Sequence, residues 1–432
     1  MLNPDTVKAT LVAEVAGGLD RLLGQAVDGA TPEELLAGAE ALARSVLRAA
    51  FSAGTSLAAE REEAPACLVC GRRMQRHERE RRALVSLRGD VVGVFQRWRC
   101  RGCGEGACPG YDDWVRHGCT PEVAQAAQLA GAHQAYELSE RLLAAMGVFL
   151  SDNTLQRLVR EAGGELAAAR EAEAEAVARL ALDLTPAHRP ERLYIEVDGF
   201  KAQVERAWRE PRVGLCFETA QAEADEDLVP PPATRVSVVA ALAKADEMLE
   251  LLAAEAQRRG VMRAREVVLV ADGAPWIWER LRGLAPPWAK VTEILDWYHL
   301  CENLAKAVRA AYGERGNAWW LEHLEEAAWA GDSNELLRRL ATLRDRAPAG
   351  QRQREAANVI AYVRYHRGRM NYRQLQLDGY HVGSGNVESR CKQLGLRVKG
   401  AGMNWSEDGL NAVLALLAQD LSDEAVRWQP AA

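Results

Sequence analysis

Residues 5–60 carry Ala and Leu at three- and four-residue intervals among Glu and Arg, and Thr31-Pro32-Glu33-Glu34 supplies an N-cap, a first-turn proline and acids for the helix dipole. Two amphipathic helices are expected, serving ordinary packing or a partner face. The period changes to two in 81–99, where β-rich runs meet at Arg88-Gly89-Asp90, a turn signal. Helical spacing returns from Pro121. Within 136–163, Leu138, Leu142 and Leu143 form an apolar face, Gly147 permits a turn, and Ser151 or Asp152 caps a second helix. An acidic, Ala-rich helix is expected over 164–182, and the prolines of 183–190 mark a linker. Beyond it, apolar runs at 192–199, 213–219 and 234–242 predict an antiparallel meander. A helix (245–260), a strand (265–274) and a strand running into a helix (290–300) follow.

Strand and helix order β-β-β-α-β-α-β is the plan of an RNase H-like fold, so the expected class is a mixed α/β multidomain chain. Its parts are N-terminal helices (1–62), a zinc-ribbon module (63–118) and a helical, helix-turn-helix-like DNA-binding segment (119–182). The catalytic core is expected in two pieces (190–300 and 373–420) around a helical insertion (301–372). A length of 432 residues fits several domains, and 48% hydrophobic with 27% charged residues is a globular composition. There is no apolar run of about 18 residues and no signal-peptide pattern at the start, so a cytoplasmic protein without membrane segments is expected.

A net charge of −7 argues against indiscriminate nucleic-acid binding, but local charge decides. Eight cations fall between Arg364 and Lys399 against Asp378 and Glu388, while acids gather in 165–176 and in the loop 221–228. Of nine cysteines, Cys67, Cys70, Cys100 and Cys103 form two CxxC pairs at the ends of the expected hairpin. Four thiolates so placed close a tetrahedron around structural Zn²⁺; a redox role would want a βαβ context that neither pair has. The scattered Cys108, Cys119, Cys216, Cys301 and Cys391 read as small buried hydrophobes. Arginines 72, 73, 76, 79, 81, 82, 97, 99 and 101 crowd the ribbon, as a solvated face or as a phosphate-tracking one. Asn153, Thr154, Gln156 and Arg157, at the start of the second helix of the hairpin, are side chains of the type that reach base edges.

Asp198 and Asp272 each close a strand and precede glycine, where backbone can approach a metal or phosphate. Phosphodiester chemistry in an RNase H-like fold needs carboxylates at adjacent strand ends to hold two Mg²⁺ (or Mn²⁺) ions about 4 Å apart. Glu388, in the first turn of a helix after Gly383-Ser384-Gly385, supplies the third acid. Glu196 shares a strand face with Asp198 and reads as an outward-facing neighbour rather than a spare ligand. The tryptophans 319, 320 and 329 of the insertion read as core rather than as base-stacking platforms.

The blocks Asp272-Gly-Ala-Pro-Trp276-Ile-Trp278, Leu295-Asp296-Trp297-Tyr298-His299 and 383–405 (GSGNVESRCKQLGLRVKGAGMNW) resemble those of insertion-sequence transposases of the ISKra and ISLre groups. The resemblance spans about 190–420 and extends to the ribbon and helical segment. It implies that Asp198, Asp272 and Glu388 correspond to an Asp-Asp-Glu triad, with Asp296 and His299 in the block after the second aspartate. These two are accessory site residues or, equally, helix-capping and packing groups. The implied activity is metal-dependent cleavage and strand transfer at transposon ends, with transposon-end and target DNA as partners. A homo-oligomer is expected, and Arg390, Lys392, Arg397 and Lys399 are expected to contact DNA. The rival readings are a domesticated or non-integrating nuclease and a catalytically inactive zinc-dependent DNA-binding regulator. The acidic loop around 223–227 departs from what tight DNA binding would favour.

Overall fold

A computed structural model describes residues 4–220, 229–273, 275–400 and 402–429; the acidic loop 221–228 lies outside them. The chain forms two compact units, 1–159 and 160–432.

The first unit opens with two long helices, α1 (Pro4–Val27) and α2 (Pro32–Arg61). The Thr31 hydroxyl accepts the Glu34 N–H while the Glu34 carboxylate accepts the Thr31 N–H, a reciprocal cap that starts α2. Strands β1 (Gln75–Leu84) and β2 (Val91–Arg99) pair antiparallel, and the short β3 (Gly106–Ala107) adds to β2. A single turn, α3 (Pro109–Asp112), helps close a small core of Leu84, Val91, Phe95, Cys108 and Val115 against Phe51 and Leu47 of α2. Then come α4 (Pro121–His133), α5 (Tyr136–Ala145) and α6 (Asp152–Ala178). Leu143, Val148, Leu155 and Leu158 pack with Val123 and Ala127 to hold the hairpin. The expected break near 163 does not exist: α6 runs unbroken into the Ala-rich segment, because Gly163 and Gly164 are tolerated inside a helix that packing stabilises.

The second unit is built on a mixed five-stranded sheet of order β10-β9-β4-β7-β8. Strands β4 (Arg192–Gly199), β7 (Arg212–Thr219) and β8 (Thr234–Ala241) are antiparallel neighbours. Strands β9 (Glu266–Ala271) and β10 (Lys290–Leu295) add parallel on the other side of β4. Every residue of β9 is buried, which is why its sequence is a continuous apolar run rather than an alternating one. Between β4 and β7 stands a hairpin that the sequence reading passed over, β5 (Ala202–Val204) and β6 (Ala207–Arg209). Helix α7 (Ala245–Arg258) links β8 to β9, and α8 (Pro275–Arg282) links β9 to β10. Helices α9 (Trp297–Tyr312), α10 (Ala318–Trp329), α11 (Ser333–Arg346) and α12 (Gln351–His366) pack on one another. After α13 (Tyr372–Leu377), helix α14 (Gly385–Val398) lies against β4 and β7, and α15 (Glu407–Asp420) against β8. Trp320 and Trp329 are partly buried, but Trp319 is 56% exposed, which departs from the core reading of all three. No described helix is long and apolar enough to cross a membrane.

One close approach fixes how α6 meets α15. A Cβ at Gly163 would lie 2.1 Å from the Ala412 carbonyl oxygen, whereas one at Gly164 would meet nothing within 4 Å. Gly163→Ala is therefore expected to destabilise the fold by about 1–3 kcal/mol through overpacking against backbone, and Gly164→Ala to be neutral or to stabilise by about 0.5–1 kcal/mol. Urea unfolding of the two variants checks this; equal midpoints would show that the helices part freely at this crossing.

Candidate active site

The parallel ladders place the acids. The register that pairs Glu196 with Val270 brings Asp198 level with Asp272 two residues later, and the register that pairs Ala271 with Leu295 brings Asp272 level with Asp296. Three aspartates therefore stand in one row at the carboxyl ends of adjacent strands. Gly273, directly after Asp272, adopts φ +95°, and a Cβ there would meet the Tyr362 hydroxyl at 2.5 Å. That hydroxyl donates to the Asp272 carbonyl at 2.8 Å, and His366 Nε2–H donates to the Gly273 carbonyl at 2.8 Å. The glycine is thus required by the packing of α12 on the strand end as well as by the turn.

Helix α14 reaches this row with its amino end. Asp296 is fully buried, and one carboxylate oxygen accepts the Ser384 N–H at 2.7 Å. The other accepts the His299 N–H at 2.9 Å and the His299 ring at 2.6 Å. Burial opposes the Asp296 charge, but the imidazole and the two backbone N–H groups outweigh it and hold the carboxyl below the usual range. The hydrogen bond and charge of Asp296 in turn raise the His299 imidazole to about 9, which keeps it cationic at neutral pH. The capping role weighed for Asp296 is therefore real: it caps α9 and also anchors α14.

Glu196 corrects the sequence reading. It is not outward-facing but fully buried, with Oε2 accepting the Val387 N–H of α14 at 3.0 Å and Oε1 left without a hydrogen-bond partner. Burial pushes its carboxyl up to about 8, and the charges of Asp296, Asp198 and Glu388 push the same way against the Val387 N–H. The alternation that put Glu196 on the Asp198 face was visible; that α14 would cover this face was not. Asp198 is likewise raised, by burial and by Glu388, against the Gly199 N–H, the Cys391 thiol and His299. Cys391 is buried here, its thiol hydrogen-bonded to Asp198.

Glu388 is partly buried, accepts the Ser384 hydroxyl at 3.2 Å and lies 3.7 Å from Lys392. Ligand atoms of Asp296, His299 and Glu388 all lie within 4.8 Å of one another, though the imidazole would have to lose its proton before it could bind a metal ion. The carboxyl oxygens of the row and of Glu388 are hard donors of the kind Mg²⁺ or Mn²⁺ takes.

Residues 122–429 match the family described as an uncharacterised protein family, UPF0236. The chain belongs to UPF0236. The match takes in all the acids above and leaves out the ribbon. No curated protein matches the chain.

Outside the UPF0236 match, the four ribbon cysteines converge as a second candidate centre, their sulfurs within 4.8 Å of one another. Cys67 and Cys103 sulfurs are 3.5 Å apart, and those of Cys70 and Cys100 3.4 Å. Tetrahedral thiolates on zinc stand about 3.8 Å apart, so little movement is needed to close the site. Two matching turns, Gly71 N–H to the Cys67 carbonyl and Gly104 N–H to the Cys100 carbonyl, present the pairs. Backbone N–H groups of Cys103 and Gly102 help hold the Cys100 thiol down at about 6.

The DNA-contact candidates separate. Asn153, Gln156 and Arg157 are exposed at the start of α6, whereas Thr154 is partly buried and bonds Ser151 as part of the helix start. Lys392 and Lys399 are exposed and Arg390 is half-buried. Arg397 is not available for DNA: it is 5% exposed, with its guanidinium 4.9 Å from the centre of the Trp405 ring, because its face of α14 turns inward. Of the ribbon arginines, Arg79, Arg82 and Arg97 pair with Glu60 or Glu80, while Arg81, Arg99 and Arg101 stay exposed.

Removing Asp296 leaves the Ser384 and His299 N–H groups unpaired in a buried place, whereas removing Glu388 strands no backbone donor. Asp296→Ala is expected to cost roughly 2 kcal/mol or more of stability, and Glu388→Ala less than about 1 kcal/mol. Denaturant titration checks the order; a reversal would mean that α14 is anchored elsewhere.

Proposed function

We propose that the chain is a DDE-type DNA transposase with an RNase H-like catalytic core, in which Asp198, Asp272 and Glu388 hold two divalent cations. The observation that carries this reading is the row of aspartates at the ends of adjacent parallel strands, with Glu388 delivered beside it by α14. A sheet of three antiparallel strands extended by two parallel ones, followed by a helix bearing the last acid, supports the same reading. So does the resemblance of the three sequence blocks to insertion-sequence transposases.

Bound Mg²⁺ or Mn²⁺ would supply Lewis-acid stabilisation of the phosphoryl oxygens and a more acidic water or 3′-hydroxyl. The protein's own groups position and balance charge. Asp296 keeps His299 protonated, so the imidazolium offers a donor for a non-bridging phosphate oxygen. The Cys391 thiol steadies Asp198, and Ser384 steadies Glu388. Attack by water on the phosphorus breaks the P–O3′ bond and leaves a 3′-hydroxyl and a 5′-phosphate; attack by that hydroxyl on a target phosphorus forms a new P–O3′ bond and breaks the target's own, whose 3′-oxygen leaves as a hydroxyl with the proton given up by the attacking one. Neither step needs a covalent protein–DNA intermediate. In the first unit, Asn153, Gln156 and Arg157, with the ribbon's exposed arginines, are assigned to DNA recognition, and the four-cysteine cluster to structural Zn²⁺.

Asp198→Asn, Asp272→Asn and Glu388→Gln are each expected to lower Mg²⁺-dependent nicking and joining of duplex DNA by about 100-fold or more while leaving binding nearly unchanged. Retained cleavage by all three would sink the proposal. For the ribbon, elemental analysis should find one zinc per chain, and chelation should expose four additional reactive thiols of the CxxC pairs. Metal-free protein with those thiols already reactive would remove that assignment.

A further inference from the structure

The β5–β6 hairpin follows Asp198 by only a few residues. Its tip residues, Glu205 and Arg206, both take left-handed backbone conformations (φ 50° and 65°), which side chains other than glycine and asparagine rarely adopt. The tip is nevertheless held firmly. The Glu205 N–H donates to the Trp405 carbonyl at 2.9 Å, the Arg206 N–H to the Asn404 side-chain oxygen at 2.7 Å, and the Trp405 N–H to the Gln203 carbonyl at 3.1 Å. Val204 forms a β-bridge with Trp405, and Ala202 and Val204 are fully buried, so one face of the hairpin is bolted down.

The other face is open and carries an indole. Trp208, paired with Gln203, is 69% exposed; Lys201, Arg206 and Arg209 are its near neighbours along the chain and are exposed with no ion pair from their side chains among the described residues, Arg209 on the side of its partner Ala202. Glu205 and Glu210 are the neighbouring acids, and Lys399 lies close by, 5.1 Å from the centre of the Phe200 ring. A large aromatic side chain held in water on an anchored hairpin that also carries exposed cations offers two things at once. It gives a flat face for stacking, and positive charge for phosphates on either side.

We infer that this hairpin is a strand-end arm of the acid cluster, with Trp208 stacking on an unpaired base of DNA and Lys201, Arg206 and Arg209 holding the adjoining phosphates. The inference rests on the proposed function, because cleavage beside Asp198 creates a strand end whose last base can leave the duplex and present its face. A fully paired duplex hides its base faces and gains only the phosphate contacts.

The test uses the full chain, without added divalent metal, on two DNAs of equal length. One is a continuous duplex, and the other is forked, with 2-aminopurine at the first unpaired position. The wild type should bind the forked DNA about 10-fold more tightly and quench the 2-aminopurine by stacking. Trp208→Ala should remove both the preference and the quenching, and Trp208→Phe should keep most of each. Arg206→Ala with Arg209→Ala should weaken binding to both DNAs and lower the dependence on salt by about two counterions. Thermal unfolding confirms that each variant folds. A Trp208→Ala protein that still prefers and quenches the fork overturns the arm, as does a wild type that binds neither DNA. Loss of self-association on sedimentation, with fork preference intact, would make the hairpin a contact between copies and overturn it equally. The two readings fail separately. Fork binding that depends on Trp208 without Mg²⁺-dependent nicking would remove the proposed reaction and keep the arm, whereas nicking with no effect of Trp208 would do the reverse.

Discussion

The amino end of α14 is held by two buried acid side chains, one on β4 and one just after β10. Glu196 on β4 accepts the Val387 N–H, and Asp296 after β10 accepts the Ser384 N–H. A helix amino end presents unpaired donors and partial positive charge, so buried carboxyl oxygens satisfy it away from water, and Asp296 brings a negative charge as well. The two clasps straddle strand β9, one on β4 to one side of it and one just after β10 to the other. Glu388 then lies in the first turn, beside Asp296 and His299. Gathering so many acids is costly, as the upward shifts of Glu196 and Asp198 record. The protein tolerates this because the helix end and the cationic His299 offset part of the charge, and a divalent cation would offset the rest.

The strand arrangement makes that row possible. Parallel neighbours in register carry equivalent positions to the same edge, so one aspartate directly after each of two strands and one at the end of a third come out level without any side chain reaching for another. An antiparallel β9 would have sent Asp272 to the opposite edge. Tyr362 and His366 of α12 reinforce the arrangement by gripping the backbone at Asp272 and Gly273, so the helices between the second and third acids support the strand end directly.

The strands ending at Asp198 and running into Asp272 were legible in the sequence because each is a dense apolar run stopped by Asp-Gly. The first turn of α14 was legible from its glycines and the acid that follows. What escaped was decided by contacts between distant segments. Glu196 was placed on the right face, but burial of that face depends on a helix nearly two hundred residues later. Arg397 was counted among DNA contacts because a run of cations carries no sign of which ones turn inward onto an indole. The β5–β6 hairpin escaped for another reason: its tip is Glu-Arg rather than Asn-Gly, and it is stabilised by Asn404 and Trp405 instead of by its own turn chemistry. The separate helix expected over 164–182 is the continuation of α6, and Gly163 is the point where α15 comes within backbone contact.

The formal charge of −7 is a poor guide to what this molecule can bind. Much of its charge is spent internally, in buried or half-buried ion pairs: Arg170 and Arg259 with Glu255, Arg192 with Glu266, and Arg258 with Glu173. Glu196 and Asp296 are spent on backbone donors, and Glu218 on Arg235 and His188. Burial also withdraws cations, Arg397 among them, so neither sign survives the count unaltered. What a polyanion would meet near the acid cluster is set by the side chains left in water there. These are Lys201, Arg206, Arg209, Lys392 and Lys399, with Glu205 and Glu210 opposed. Because screening confines such charges to about 8–10 Å at physiological salt, that local excess governs the approach of a phosphate backbone, and acids elsewhere on the chain contribute little to it.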